Sequence, residues 1–162
     1  MSQQATSGAE RMLPADPQQL AELSAQVMYD NDAASQGLGM QLVSVAPGCS
    51  GMSMTIRRDM LNGHKTCHGG FIFSLADSAF AFACNSRNEV TVASGCTIDF
   101  LAPAFEGDVL TAEAVEYSLA GRVGVYDVHV RNQDGKRIAV FRGRSYRLRG
   151  QVVEGQPAAG RE

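Results

Sequence analysis

The chain has 162 residues, of which 44% are hydrophobic and 19% charged, and its formal net charge is −3. That length and balance describe one ordinary globular domain with a real core. The acidic balance excludes a basic field suited to gripping a nucleic-acid backbone, and no apolar run reaches bilayer-spanning length.

Residues 1–15 are polar and rich in small residues, and the expectation is a flexible tail. They hold no apolar leader-like stretch, so a cytoplasmic location is expected. Asp16-Pro17 predicts a helix start, with an aspartate N-cap and proline at the first helical position. The helix continues through Tyr29, with Leu20, Leu23, Val27 and Met28 on one face. Gly39 to Ala46 reads as a strand, Pro47 to Gly51 as a turn, and Met52, Met54 and Ile56 as a second strand. Residues 58–64 are a connection.

The most distinctive stretch is HGGFIFSLADSAFAFACNS, about 68–86. Phe71, Ile72, Leu75, Ala79, Phe80 and Ala83 recur at helical spacing, and alanines fill most of the remainder. A helix apolar nearly all round is a buried one. Four strands follow at about 90–101, 107–118, 123–132 and 137–148, and Asp134-Gly135 is a hairpin signal between the last two. Residues 150–162 read as a second flexible tail, leaving 16–149 as a single domain. One mostly antiparallel sheet of about six strands around one long helix accounts for this order, an α+β architecture. Such a sheet covers only one side of the helix, and a second subunit is the simplest cover for the rest.

Asp77 sits near the middle of the buried helix, where aspartate is a poor residue and an uncompensated carboxylate is costly. It is either a structural aspartate paired with a distant donor or a carboxylate placed for acid–base or nucleophilic work. His68-Gly69-Gly70 opens the same helix. Free N–H groups at the positive end of a helix suit a developing oxyanion, and glycine lets a carbonyl approach the backbone; Gly-Gly before a helix is also an ordinary tight turn. Gly69 and Asp77 are eight residues apart, so ~12 Å separates them along one helix. One carbonyl group cannot touch both. Two helices antiparallel across a two-fold axis would bring Gly69 of one chain near Asp77 of the other.

Asn62 and His68 flank these candidates and could each donate to a carbonyl; each could equally be a turn or helix-start residue. Ser94 could hold the attacking water or be a strand-end serine. His64, Cys67 and His68 are close enough in sequence to suggest a metal site but lack a fourth ligand, and no metal is expected. Cys49, Cys67, Cys84 and Cys96 show no CxxC pairing and are read as free thiols. There is no GxSxG, GxGxxG or Walker A pattern.

The segments LNGHKTCHGGFIFSLADSAFAFACNS (61–86), CTIDFLAPAFEGDVLTA (96–112), GVYDVHVRNQ (124–133) and AVFRGRSYR (139–147) together resemble the hotdog-fold acyl-CoA thioesterases, most nearly those of phenylacetate degradation. Asn62, His68-Gly69 and Asp77 fall at that family's spacing. The resemblance implies a hotdog fold paired into dimers with shared active sites and usually tetramers. It implies hydrolysis of phenylacetyl- or hydroxyphenylacetyl-type CoA thioesters without a metal or organic cofactor. In that picture Asp77 is general base or nucleophile, the Gly69 N–H polarises the carbonyl, Asn62 and His68 assist, and Ser94 positions water. Gly70, Arg122, Arg142 and Gly143 are the expected contacts for substrate and CoA, with Arg144 a further arginine candidate. Phe71, Phe73, Phe80 and Phe82 are candidate pocket aromatics, although core packing is open to each. Two other activities also remain open: a dehydratase or hydratase working through His129 or His68, and a binding protein that holds acyl-CoA without turnover.

Overall fold

The computed structural model describes residues 12–157. In chain order these form β1 (Met12–Leu13), α1 (Pro17–Asn31), α2 (Ala33–Gly37), β2 (Gln41–Ala46), β3 (Cys49–Thr55), a 3-10 turn (Arg58–Met60), α3 (Gly69–Cys84), β4 (Thr91–Phe100), β5 (Val109–Ala120), β6 (Val123–Arg131), β7 (Arg137–Arg147) and β8 (Gln156–Pro157). Strands β2 to β7 make one antiparallel sheet in the order β2-β3-β5-β6-β7-β4. β4 therefore lies at one edge although it is third in sequence, because the chain crosses along α3 before β4 begins. This is the hotdog arrangement that the resemblance implies. Among the described residues, no helix is long and apolar enough to cross a membrane.

Local chemistry explains the elements. The Asp16 carboxylate caps α1 by accepting the Gln19 N–H at 3.0 Å, with proline at the first position. Gly121 (φ 61°) and Gly135 (φ 75°) take the left-handed conformations that reverse the chain between β5, β6 and β7. Residues directly opposite in an antiparallel sheet share a face. The inner face carries the row Met52, Ala112, Val130 and Ala139, and beside it Ala114, Val128 and Phe141, all buried. Against them α3 lays Ile72, Leu75, Ala76, Ala79, Phe80 and Ala83. Burying side chains of this size stabilises by roughly 1.5–3 kcal/mol each for Leu, Ile and Phe.

Three expectations need correction, and one element is new. The stripe of α1 that is fully buried is Ala21, Ser24 and Ala25, and Leu20, Leu23, Val27 and Met28 flank it half-buried, because small residues let the helix come close. The β2–β3 turn is only Pro47-Gly48, so β3 begins already at Cys49. The short helix α2 lies between α1 and β2, a stretch without a predicted element; the Asp32 carboxylate starts it by accepting the Ser35 N–H at 2.9 Å. Finally, the stretches expected as tails are structured where they are described. β1 and β8 pair in parallel, and Leu13 and Val153 are buried. Asn88 holds that region, donating to the Val153 carbonyl at 3.0 Å and accepting its N–H at 2.7 Å. The remainder of those expected tails, 1–11 and 158–162, lies outside the described residues.

Candidate active site

His68 is the N-cap of α3, and its Nδ1 accepts the Gly70 N–H at 3.0 Å. The imidazole nitrogen left over is Nε2, which in this tautomer carries the proton and can donate. Gly70 is thereby removed from the list of substrate donors, since its N–H is already engaged. Among the described residues, no acceptor takes the N–H of Gly69. It is an orphan donor at the positive end of a 16-residue helix, the environment in which a developing negative charge is stabilised. The Phe100 ring stands close over Gly69, its Cζ 2.9 Å from where an added Cβ would be, so a side chain there would have to displace the ring.

Asn62 lies in a loop folded back onto this helix start, where the His68 N–H donates to the Met60 carbonyl at 2.8 Å. Its Oδ1 accepts the N–H of His64 at 2.9 Å and the N–H and hydroxyl of Thr66 at 3.3 and 3.2 Å. Among the described residues its Nδ2 has no partner, so the amide anchors the loop through oxygen and keeps nitrogen free to donate. The turn reading and the donor reading of Asn62 are therefore compatible.

Asp77 is half-buried on α3, and burial pushes its carboxyl above its ordinary value. The distant ion-pair partner that a structural aspartate would require is absent among the described residues. Its one hydrogen-bonding neighbour among the described residues is the Cys96 thiol of β4, 4.0 Å from Oδ1. Burial, and then the Asp77 charge, push the Cys96 thiol up, so it stays protonated and is the donor. Ser94, expected to serve near the carboxylate, is exposed instead and donates to the Arg144 carbonyl at 3.1 Å. A bulge between Ala93 and Gly95 changes the alternation of β4, and the residue that reaches Asp77 is Cys96.

The other candidates divide between the two faces of the sheet. Gly143 faces inward against Phe80, whose ring would lie 2.8 Å from an added Cβ, so it is a packing glycine and not a CoA contact. Arg142, one residue earlier, faces outward. It makes a two-pronged ion pair with Asp127 at 2.6 and 2.8 Å and lies over the Tyr117 ring at 5.2 Å. Arg142 and Gly143 thus cannot line one CoA path. Arg144 is exposed, its guanidinium lying against Gly95, and Arg122 is exposed in the β5–β6 turn beside Arg87 and Arg147. His129 and Asp127 also face outward with Arg142, on the side of the sheet away from Asp77.

Phe80 and Phe82 are core residues, and Phe73 packs on Phe141 at 5.5 Å between ring centres. Phe71 is half-buried beside the His68 ring, at 6.3 Å. The Cys67 thiol is buried, pushed up to about 11, and donates to the His68 carbonyl at 3.6 Å. His64, Cys67 and His68 do not converge: no group of three or more such side chains could hold a metal among the described residues.

Within one chain the arrangement supplies an oxyanion donor and a carboxylate at raised pKa, separated by about two helical turns (~12 Å). The pair suits acyl transfer to water if each completes the other's site across two chains.

Comparison with known proteins points to the same chemistry. The thioesterase superfamily model matches residues 64–139. The acyl-coenzyme A thioesterase PaaI of Escherichia coli is 50% identical over 130 residues, covering 80% of this chain and 93% of that protein. A putative esterase of Archaeoglobus fulgidus is 36% identical over 130 residues, covering 80% of this chain and 84% of its own. The solved structure of the E. coli PaaI protein from the phenylacetic acid degradation operon superposes with a TM-score of 0.83 at 48% identity, covering 84% of this chain and 99% of that one.

Proposed function

Since this chain belongs to the thioesterase superfamily and is a thioester hydrolase, we propose that it hydrolyses aromatic acyl-CoA thioesters of the phenylacetyl or hydroxyphenylacetyl type, in phenylacetate catabolism. The observation that carries the reading is the pairing, among the described residues, of an unengaged Gly69 N–H at the start of α3 with a half-buried Asp77 whose only hydrogen-bonding neighbour is a thiol. The relative named for acyl-CoA thioesters and the operon named in the structural match support the substrate class.

In this mechanism the thioester carbonyl oxygen accepts from the Gly69 N–H, with the Asn62 amide and His68 Nε2 as further donors. Asp77 of the second chain takes a proton from water as the resulting hydroxide adds to the carbonyl carbon. The C–S bond then breaks, and the proton held by Asp77 passes to the departing CoA thiolate. Asp77 acting as nucleophile would instead form a mixed anhydride, which water opens. The raised carboxyl pKa brings the group nearer the operating pH, where a general base is most effective. The active species is a homodimer with two shared sites, assembled into a homotetramer, and it needs no cofactor. Arg122 and Arg144, exposed and without an ion pair among the described residues, are the arginines for CoA phosphate. The enzyme works in the cytoplasm.

The test is release of free CoA thiol from phenylacetyl-CoA and alkyl-CoA esters, with sedimentation of the active species. A chain that cleaves no CoA ester, or a fully active monomer, contradicts the proposal. Oxygen-18 incorporated into the protein in a single turnover separates nucleophile from base.

A further inference from the structure

The inner face of the edge strand β4 presents Cys96, Ile98 and Phe100, opposite Gly143, Phe141 and Ala139 of β7. Phe100 therefore ends the row that runs Met52, Ala112, Val130, Ala139 across the sheet. Those four residues are at most 1% exposed, yet Phe100 is 52% exposed. An inward-facing aromatic with half its surface open is not filling a core gap.

Its position explains the exposure. The ring reaches from the sheet edge to the start of α3, with Cζ 2.9 Å and both Cε atoms 3.3 Å from where a Cβ at Gly69 would be. It thus stands beside the N–H that has no acceptor among the described residues. The segment after β4 adds two more open apolar side chains, Leu101 and Phe105. The Cys67 N–H donates to the Ala104 carbonyl at 2.8 Å and ties this segment to the residue before His68. Of the four helix phenylalanines, Phe80 and Phe82 are buried, Phe73 is packed on Phe141, and Phe71 lies half-buried beside the His68 ring, so each is less open than Phe100.

We propose that Phe100 is the wall of the acyl site: with the thioester oxygen on the Gly69 N–H, the acyl group stacks on the open part of the Phe100 ring, and this contact selects aryl over alkyl acyl groups. The inference rests on the thioesterase reading above and adds the residue that sets its selectivity. Aromatic rings in offset or edge contact gain more than their buried area alone provides, whereas an alkyl chain gains only from area.

The experiment compares kcat/KM for phenylacetyl-CoA and hexanoyl-CoA in the wild type, Phe100→Leu and Phe100→Tyr, with sedimentation of each. Leucine keeps apolar bulk and removes the ring. The expected result is a roughly tenfold loss for phenylacetyl-CoA in Phe100→Leu, mostly in KM, with a much smaller change for hexanoyl-CoA. Phe100→Tyr keeps the aryl preference. If Phe100→Leu fails to fold, Phe100→Met carries the same comparison. Equal losses on both esters, or an unchanged ratio, overturn the proposal and make Phe100 a packing or subunit-contact residue. A wild type that cleaves neither ester defeats the thioesterase reading itself, which is a different result from an active wild type with an unmoved ratio.

Discussion

The Asp77 carboxylate and the Cys96 thiol face each other at 4.0 Å across the gap between α3 and the edge strand β4. The thiol is the one donor the protein offers that carboxylate among the described residues, and a weak one. A carboxylate with so little compensation is kept basic and available, at a cost in stability.

That cost gives a prediction about pH. The folded-state pKa of Asp77 lies above its unfolded value because burial disfavours the charge. Its favourable contribution is thus fully present below the unfolded pKa, about 3.9, and is lost as pH rises through the folded value. Asp77→Asn removes the charge and so raises Tm at pH 7, on the order of 2 °C given the solvent screening of a half-buried group. Near pH 3 the two proteins should melt together. Calorimetry at both pH values checks this, and a variant less stable at pH 7 would show that Asp77 is structurally paired.

The same variant separates chemistry from binding. Asp77→Asn should lose at least ~10³-fold in kcat, the scale on which a positioned base contributes, with phenylacetyl-CoA still bound. Near-normal turnover would sink the mechanism.

The 4.0 Å contact leads to the prediction that the Cys96 thiol tunes that carboxylate. Removing the thiol in Cys96→Ala takes away a donor to the charged form, so the Asp77 pKa rises further and the acid limb of the kcat/KM profile moves to higher pH. Cys96→Ser supplies a stronger donor and moves the limb the other way. An acid limb identical in all three proteins would leave Cys96 as packing alone.

Asn62→Asp is the discriminating change in the loop. It keeps the oxygen that accepts from His64 and Thr66 and replaces only the free amide nitrogen. Activity should fall roughly 10²-fold, as for loss of one oxyanion donor, with Tm little changed. A large fall in Tm with activity retained would make Asn62 a turn residue only.

Asn88 makes a prediction about the chain ends. It sits at φ 61° and joins the Ser24 hydroxyl of α1 to both backbone groups of Val153. Asn88→Ala should cost about 2–4 kcal/mol in denaturant unfolding, through three lost bonds and a strained backbone, with kcat unaffected. A loss below 1 kcal/mol would mean these ends add nothing to the fold.

Much of the fold was legible because its signals are local. The apolar periodicity of 69–84, the Asp16-Pro17 start and Asp134-Gly135 each act within a few residues. The pairing of β1 with β8 was not legible, since two-residue strands carry no periodicity and their contacts span the whole chain. In the site, Gly69 and Asp77 could be singled out because a carboxylate in an apolar helix and a glycine at its start are anomalies visible in sequence.

The sequence by itself determined the long buried helix, the antiparallel strands around it, and the eight-residue spacing that prevents Gly69 and Asp77 of one chain from sharing a carbonyl. Only the tertiary structure decided which side chains surround them. Strand register sends Arg142 outward and Gly143 inward, the bulge at Ala93/Gly95 brings Cys96 to Asp77 in place of Ser94, and the edge position of β4 sets Phe100 over Gly69. The physical reason is the two-residue period of a strand: a shift of one residue exchanges its faces, and pairing partners far away in the chain set that shift.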